Sequence, residues 1–369
     1  MQKAIKNKRF RWWKILVFLL LLLLLAVVLY VAYVLVTYDR IADNQELPVS
    51  GTASGMAQTG QEYTAVSYNI GFGAYTPDFT FFMDGGTESR AASKESVIDC
   101  VHGAADTALA FAPDIVLYQE VDTGSTRSWQ VQQADLLDDC FASQGVYDHV
   151  FAENYHSAYL MYPITKPHGA SRSGLLTLSN LNISSALRRS LPIATDLKKL
   201  LDLDRCYSIS RIPVENGKEL VLYNLHLSAY GTDAAQGNAQ LKMLFEDLAK
   251  EYEAGNYIVC GGDFNHDFTG DSVPYFNNGS EERFTWCQPF PDDILPDGFV
   301  KCTDYEDGMV PSTRNTDIPY SEDSFTVTLD GFIVSDNVRC NYVQTVDTGF
   351  QYSDHNPVVL RFEFLLAAE

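Results

Sequence analysis

Eight polar side chains fall at or beside the ends of short apolar runs: Asn69, Glu120, His226, Asp263, Asn265, Asp330, Asp354 and His355. Taken singly, each has an ordinary explanation. Asn69 before a glycine reads as a turn, Glu120 as a solvated strand end, His226 between two leucines as a core histidine, and the Asp354 segment as an Asx turn before proline. Taken together, they supply carboxylates, amides and two imidazoles, the groups that transfer of a phosphoryl group to water requires. A hard dication such as Mg²⁺ or Mn²⁺ takes oxygen ligands from carboxylates and neutralises charge on phosphate oxygens. A base must deprotonate or orient the water, and donors must hold the developing charge. No serine or cysteine lies in a recognisable nucleophile elbow.

The elements that must position these residues are mostly buried strands. The runs Tyr63 to Ile70, Ile115 to Gln119, Leu220 to Leu227, Tyr257 to Gly261, Phe325 to Ser335 and Pro357 to Phe364 have strand composition and length. Ser93 to Phe111 carries Val97, Val101, Ala104, Ala105 and Ala108 at helical spacing and stops at Pro113. A second helix, capped by Thr232 or Asp233, buries Leu241, Leu244, Phe245 and Leu248 and ends near Gly255. Strands and helices mixed in this way predict an α/β or α+β domain of two or more layers. Residues Pro289 to Ser324 read as a long surface insertion bordering the site.

Charge and hydropathy are unevenly divided. Six of the 26 Lys and Arg residues precede position 15, so the rest of the chain sets 20 basic against 48 acidic residues, a formal net of −28. Such a surface repels polyanions, which argues against a general basic groove for nucleic acid. Ile15 to Val36 is a run of 22 uncharged residues; as a helix it measures roughly 33 Å, enough for a hydrocarbon core of about 30 Å. It is longer than the apolar region of a signal peptide and lacks a following small-x-small site, so an uncleaved anchor is expected. The basic N-terminal flank places the N-terminus in the cytoplasm and the catalytic part outside. The expected organisation is therefore a basic segment 1–14, a transmembrane anchor 15–37, a flexible linker 38–61 and a catalytic domain 62–366. Seven dispersed cysteines without a CxxC pair argue against a zinc site or a disulfide framework; a single bridge would join Cys287 and Cys302, the pair close in the chain.

The residues also resemble a known group. SYNIG at Ser67–Gly71, YQEV at Tyr118–Val121, SGLLTLS at Ser173–Ser179, NLHLSA at Asn224–Ala229, GGDFNHD at Gly261–Asp267, TLDGFIVS at Thr328–Ser335 and SDHNPV at Ser353–Val358 run in the order of the endonuclease/exonuclease/phosphatase superfamily. The resemblance covers residues 62 to 366 and implies a four-layer sandwich, two packed β-sheets with helices outside. By the same resemblance Glu120 would bind the metal with Asn69 and Asp354 close by, and Asp263 and Asn265 would position the water and the scissile phosphate. His355 oriented by Asp330 would form the acid/base pair, and His226 would donate to a phosphate oxygen. Whether Asp263 or His355 takes the water's proton stays open. There are two departures: the region 151–173 shows no counterpart of the Glu that pairs with this histidine in the deoxyribonuclease branch, and the phosphatidylinositol-phosphate motif of the 5-phosphatases is absent.

These features point to a membrane-anchored, metal-dependent phosphodiesterase or phosphatase acting on a small-molecule or lipid-borne ester. Arg172 and Arg314 are candidate phosphate contacts. A cell-surface nuclease is the alternative, because local cations can suffice to bind nucleic acid. A non-catalytic ligand-binding pseudoenzyme would require a broken polar set, and the main positions are intact.

Overall fold

A computed structural model describes residues 12–193, 204–229, 234–277, 286–305 and 308–365. The chain divides into an N-terminal unit ending at Asp39 and a second unit beginning at Arg40. In the first, helix α1 (Trp12–Thr37) is apolar on every side, with a mean hydropathy of 3.4 over its richest window and no buried side chain. By length and composition it is able to cross a membrane.

The second unit carries strands β1 (Gln45–Leu47), β2 (Glu62–Asn69), β3 (Ile115–Asp122), β4 (Asp148–Leu160), β5 (Gly169–Ser179), β6 (Ser185–Ser190), β7 (Cys206–Pro213) and β8 (Glu219–His226). These are followed by β9 (Tyr257–Asp263), β10 (Phe299–Lys301), β11 (Thr313–Arg314), β12 (Thr326–Val327), β13 (Asp330–Ser335), β14 (Val338–Thr345) and β15 (Val358–Phe364). The helices are α2 (Lys94–Leu109), α3 (Gln133–Ala142), α4 (Ala234–Glu253) and α5 (Ser272–Phe276). One sheet has the order β14-β15-β2-β3-β5-β4 and the other β1-β6-β7-β8-β9-β13-β10, with β11 and β12 forming a separate ribbon.

The strands are hydrophobic on both faces because both faces are covered. Ala65, Ile115 and Leu117 of one sheet meet Leu220, Leu222, Val259 and Phe332 of the other in the inter-sheet core. The alternate residues Val66, Tyr68, Val116 and Tyr118 pack outward beneath α2 and α3. On the opposite side Val221, Tyr223, Ile258 and Cys260 pack beneath Leu241, Leu244, Phe245 and Leu248 of α4. The result is the expected four-layer α/β sandwich. Near the strand ends the sheets are pinned by polar groups: Gln119 Nε2 donates to Asn224 Oδ1 at 2.9 Å, and Asn224 Nδ2 donates to the carbonyls of Leu176 at 3.1 Å and Tyr118 at 3.2 Å. Ser93 caps α2 by accepting from Ser96 N, as the spacing predicts. The proposed cap at Thr232 or Asp233 lies outside the described residues.

Several expectations are corrected. Residues 38–61 are not wholly a detached linker, since β1 pairs with β6 and Ala57 is buried in the inter-sheet core. The supposed surface insertion contributes β10 to the larger sheet and β11 to the ribbon. The expected strand Phe325–Ser335 breaks at Thr328 and Leu329, so that Asp330 begins β13 instead of lying inside a longer strand. All seven cysteines are free. Cys287 packs with Val273, Phe325 and Val327, whereas Cys302 belongs to the inter-sheet core with Cys340 against it, so the two thiols expected to pair occupy separate clusters.

The glycines before Asp263 form no turn; they lie within β9. Gly262 has φ of +145°, and a Cβ there would stand 2.1 Å from the Leu225 carbonyl oxygen on β8. Backbone strain and a backbone clash then act together. Gly262→Ala is expected to lower unfolding free energy by about 3 kcal/mol, read as a shift in the urea midpoint at unchanged slope; an unshifted midpoint would mean that β8 and β9 separate easily.

Candidate active site

The site is built on a single rung of the larger sheet. His226 at the end of β8 pairs in register with Asp263 at the end of β9, and Asp263 pairs with Asp330 at the start of β13. His226 Nε2 lies 3.4 Å from Asp263 Oδ2. From the facing sheet, Asn69 at the end of β2 donates through Nδ2 to the same Asp263 oxygen at 3.1 Å and lies 3.4 Å from Glu120 Oε1 and from His355 Nε2. Its Oδ1 accepts from Gly71 N at 3.0 Å, which turns the amide nitrogen inward. Asn265, in a left-handed conformation at φ 51°, donates its backbone N–H to Asp263 Oδ1 at 2.9 Å and its side-chain amide to the Leu227 carbonyl at 2.8 Å.

Glu120 owes its position to a register break. Between Tyr118 and Val121 the pairing of β3 with β5 shifts, and Glu120 sits in that irregularity at φ 55°. A bulge re-aims one side chain out of the pleat at the cost of local strain. Asp354 approaches from the turn before β15, against Gly71: a Cβ on residue 71 would come within 2.8 Å of Asp354 Oδ1 and 2.5 Å of the Tyr75 ring. Ser353 Oγ ties this turn to β2 by donating to the Asn69 carbonyl at 2.8 Å.

His355 and Asp330 form a relay. His355 Nδ1 lies 2.8 Å from Asp330 Oδ2, which also accepts from Ser312 Oγ at 2.7 Å and Thr313 Oγ1 at 3.1 Å. The opposite nitrogen, Nε2, faces Asp263 Oδ2 at 3.8 Å. Ligand atoms of Asp263, Asp330 and His355 lie within 4.8 Å of one another, a spacing that would also suit a metal ion. Asp330 Oδ2 and His355 Nδ1 are already engaged with each other, whereas Asp330 Oδ1 is buried without a hydrogen-bond partner.

Electrostatics follow from crowding acidic groups between two sheets. Burial and the neighbouring Asp330 push the Asp263 carboxyl up to about 7, against the pull of His355. Burial raises Asp354 to about 6, with the negative charge of Glu120 contributing and His355 opposing. Burial alone would lower His355, but Asp330, by charge and by hydrogen bond, overrides it and raises the imidazole to about 10. His226 is driven well below its ordinary value, first by burial and then by Arg205, and is neutral. Glu120 and Asp354 are hard oxygen donors, near enough for the charge of Glu120 to add to the effect of burial on Asp354; donors of this type fit an ion of the Mg²⁺ kind.

A cavity of about 300 Å³ opens beside Glu120 and His226. Its apolar wall is Phe72, Tyr75, Phe81 and Met83, and its polar wall includes Arg127, Arg205, Asn154 and Ser173. Arg127 is locked by a two-point pairing to Asp122 at 2.8 and 3.0 Å and stacks 3.9 Å from the Phe72 ring centroid. Asn154 Nδ2, Ser173 Oγ and His226 Nδ1 are buried without a hydrogen-bond partner, the condition that a polar ligand relieves.

The eight strand-end residues thus converge, while the two expected phosphate contacts do not. Arg172 is half-exposed and pairs with Glu153 at 2.8 Å, and neither residue lines the cavity. Arg314 is buried and donates to the Thr76 carbonyl at 2.9 Å, bracing a loop. The cations that line the cavity, Arg127 and Arg205, were not singled out from the sequence, nor were Asn154, Ser173, Ser312 and Thr313. Only Ser173 lay within a quoted motif.

Residues 66–355 match the Endonuclease/Exonuclease/phosphatase family. Among solved structures, the chain is similar to an endonuclease/exonuclease/phosphatase from Beutenbergia cavernae DSM 12333, with 16% identity and a TM-score of 0.55 over 83% of this chain and 72% of that one. It is similar to D. rerio TDP2 complexed with a single-strand DNA product, with 13% identity and a TM-score of 0.51 over 82% and 99%. It is also similar to ANGEL2, a 2',3'-cyclic phosphatase, with 13% identity and a TM-score of 0.53 over 87% and 99%. At such identities these likenesses speak to the fold. No curated protein matches the sequence. The family match spans most of the chain and takes in every strand-end residue of the site, and the chain belongs to the endonuclease/exonuclease/phosphatase family.

Proposed function

We propose that the chain is a divalent-metal-dependent hydrolase of phosphate esters, a phosphodiesterase or phosphatase of small-molecule or lipid-borne substrates, anchored by α1 with its catalytic unit on the outer face of the membrane. The observation that carries this reading is the convergence of His226, Asp263 and Asp330 on one rung, with His355 and Asn69 against them, at the edge of a recess lined by donors. Hydrolysis of phosphate esters is also what the family membership supports.

In this mechanism Glu120 and Asp354 would hold Mg²⁺ or Mn²⁺ beside Asn69, and the ion would neutralise charge on the phosphate oxygens. Asp263, held by Asn69 and Asn265 and poised to accept a proton near neutrality, orients and deprotonates the water. His355, kept protonated by Asp330, gives a proton to the leaving oxygen. Neutral His226 donates one N–H to a non-bridging oxygen. Asn154 and Ser173 supply further hydrogen-bonding groups to the bound ester. The −28 balance outside the N-terminal segment disfavours long nucleic acid. The likeness to a DNA-bound structure nevertheless makes DNA a necessary arm of the substrate test.

Four measurements bear on this reading. Residues 38–369 are expected to hydrolyse a chromogenic phosphodiester or a phospholipid in Mg²⁺ but not in EDTA, and to leave duplex DNA intact. Cleavage confined to DNA would transfer the reading to a nuclease, and inactivity on every substrate would refute it. Asp263→Asn should reduce kcat by about 10²–10⁴. Because a carboxyl with a raised folded pKa opposes folding once pH exceeds its unfolded value, near 3.8, the thermal midpoint of that variant in EDTA at pH 8 should not fall; retained turnover would remove Asp263 from the chemistry. Glu120→Gln should raise the Mg²⁺ concentration for half-maximal rate by about tenfold or more, whereas an unchanged metal titration would deny it a ligand role. The pH profile of kcat/KM should rise as Asp263 ionises near 7 and fall as His355 deprotonates near 10. Asp330→Asn should draw the alkaline limb to lower pH, and an unmoved limb would show that His355 is not the acid.

A further inference from the structure

The mouth of the cavity continues into exposed apolar surface. Phe81, Met83 and His168 line the recess. Phe82 packs 6.0 Å from the His168 ring, and Tyr162 lies 5.8 Å beyond it, ring centroid to ring centroid. Met83 is 71% exposed, Met161 54%, Tyr162 69% and Ile164 84%. These residues occupy two neighbouring tips, the short turn around Phe82–Asp84 and the loop 161–168 that joins β4 to β5.

The loop is braced rather than loose. His168 N donates to the Tyr162 carbonyl at 3.1 Å and Lys166 N to the Pro163 carbonyl at 3.1 Å. Ser89 and Arg90 donate to the carbonyls of Lys166 and Pro167, and Lys166 is ion-paired with Glu88. With the loop's backbone satisfied from beneath, Met161, Tyr162 and Ile164 are held toward solvent, and Met83 of the neighbouring turn joins them. Fixed apolar clusters of this kind on an otherwise charged surface mark interaction sites.

We infer that Met83, Met161, Tyr162 and Ile164 form a lipid-docking rim that seats the mouth of the cavity on a bilayer, so that the ester entering it is a phospholipid headgroup. This deepens the function proposed above and rests on it for the hydrolytic step. Two observations select a bilayer over a protein or a polyanion. The same chain carries a 26-residue apolar helix with hydropathy sufficient to span a membrane. Its remaining charge is −28, and the lysine at the rim is already paired with Glu88, so attraction to a polyanion has no source there. Docking therefore proceeds by burial of apolar side chains at the interface and does not depend on anionic lipid or low salt.

The test uses residues 38–369, which retain every core cluster, α1 contributing no buried side chain. Flotation with phosphatidylcholine vesicles is measured at about 0.1 and 0.5 M NaCl, conditions between which the Debye length shrinks severalfold. Binding should be equal at the two salts. The double variant Tyr162→Ser, Ile164→Ser should bind at least about tenfold more weakly and lose hydrolysis of vesicle phospholipid by a similar factor, while hydrolysis of a soluble chromogenic phosphodiester is unchanged. Failure of the parent protein to float, binding that collapses at high salt, or a variant that floats equally well would each overturn the docking rim. Flotation needs no turnover, so an inactive protein that still binds vesicles through these residues would count against the proposed hydrolysis and leave the docking surface standing.

Discussion

Everything at this site depends on holding carboxylates together where water is scarce. Asp263, Asp330, Glu120 and Asp354 come from four segments yet meet between the ends of two sheets, and like charges in a medium of low polarity repel strongly. The fold meets that cost with donors fixed in advance. Asn69 and Asn265 serve Asp263, and Ser312, Thr313 and His355 serve Asp330. The compensation is incomplete: burial still raises Asp263 to about 7, with Asp330 adding to it, and Asp354 to about 6, with Glu120 adding to it. Part of the domain's stability is thereby surrendered to chemistry, as is common where function requires polar groups in dry places.

The rigidity that makes this possible lies below the site. Gln119 and Asn224 cross the inter-sheet space and tie β3 of one sheet to β8 of the other. They stand next to Glu120 and two residues before His226, so the polar seam fixes the separation of Glu120 on one sheet from His226 on the other. A purely apolar contact there would permit sliding; directional hydrogen bonds specify one arrangement.

Much of this was legible in the sequence, for a physical reason. The strands are covered on both faces and read as continuous apolar runs, so polar residues at their ends stand out, and all eight such residues meet in space. What was not legible depends on folding partners distant in sequence. Ser312 and Thr313 lie in a stretch whose composition suggests a surface loop, yet they hold Asp330. Arg127 gains its meaning only from Asp122 and the Phe72 ring. Arg172 and Arg314 sit near the right motifs but spend their charge elsewhere, one on Glu153 and one on loop carbonyls. Cys287 and Cys302, close in the chain, belong to different clusters.

The register break at Glu120 has a consequence for how this strand tolerates change in length. Tyr118 and Val121 both face the helical layer although they are three positions apart, because the irregularity between them resets the alternation of the pleat. Removing one residue there would restore an uninterrupted two-residue repeat and relieve the positive φ. The shortened segment would pair more regularly with β5 than the natural one does, and it would have lost the one carboxylate that β3 brings to the mouth of the recess. In this strand, regularity and catalysis are alternatives that differ by a single residue.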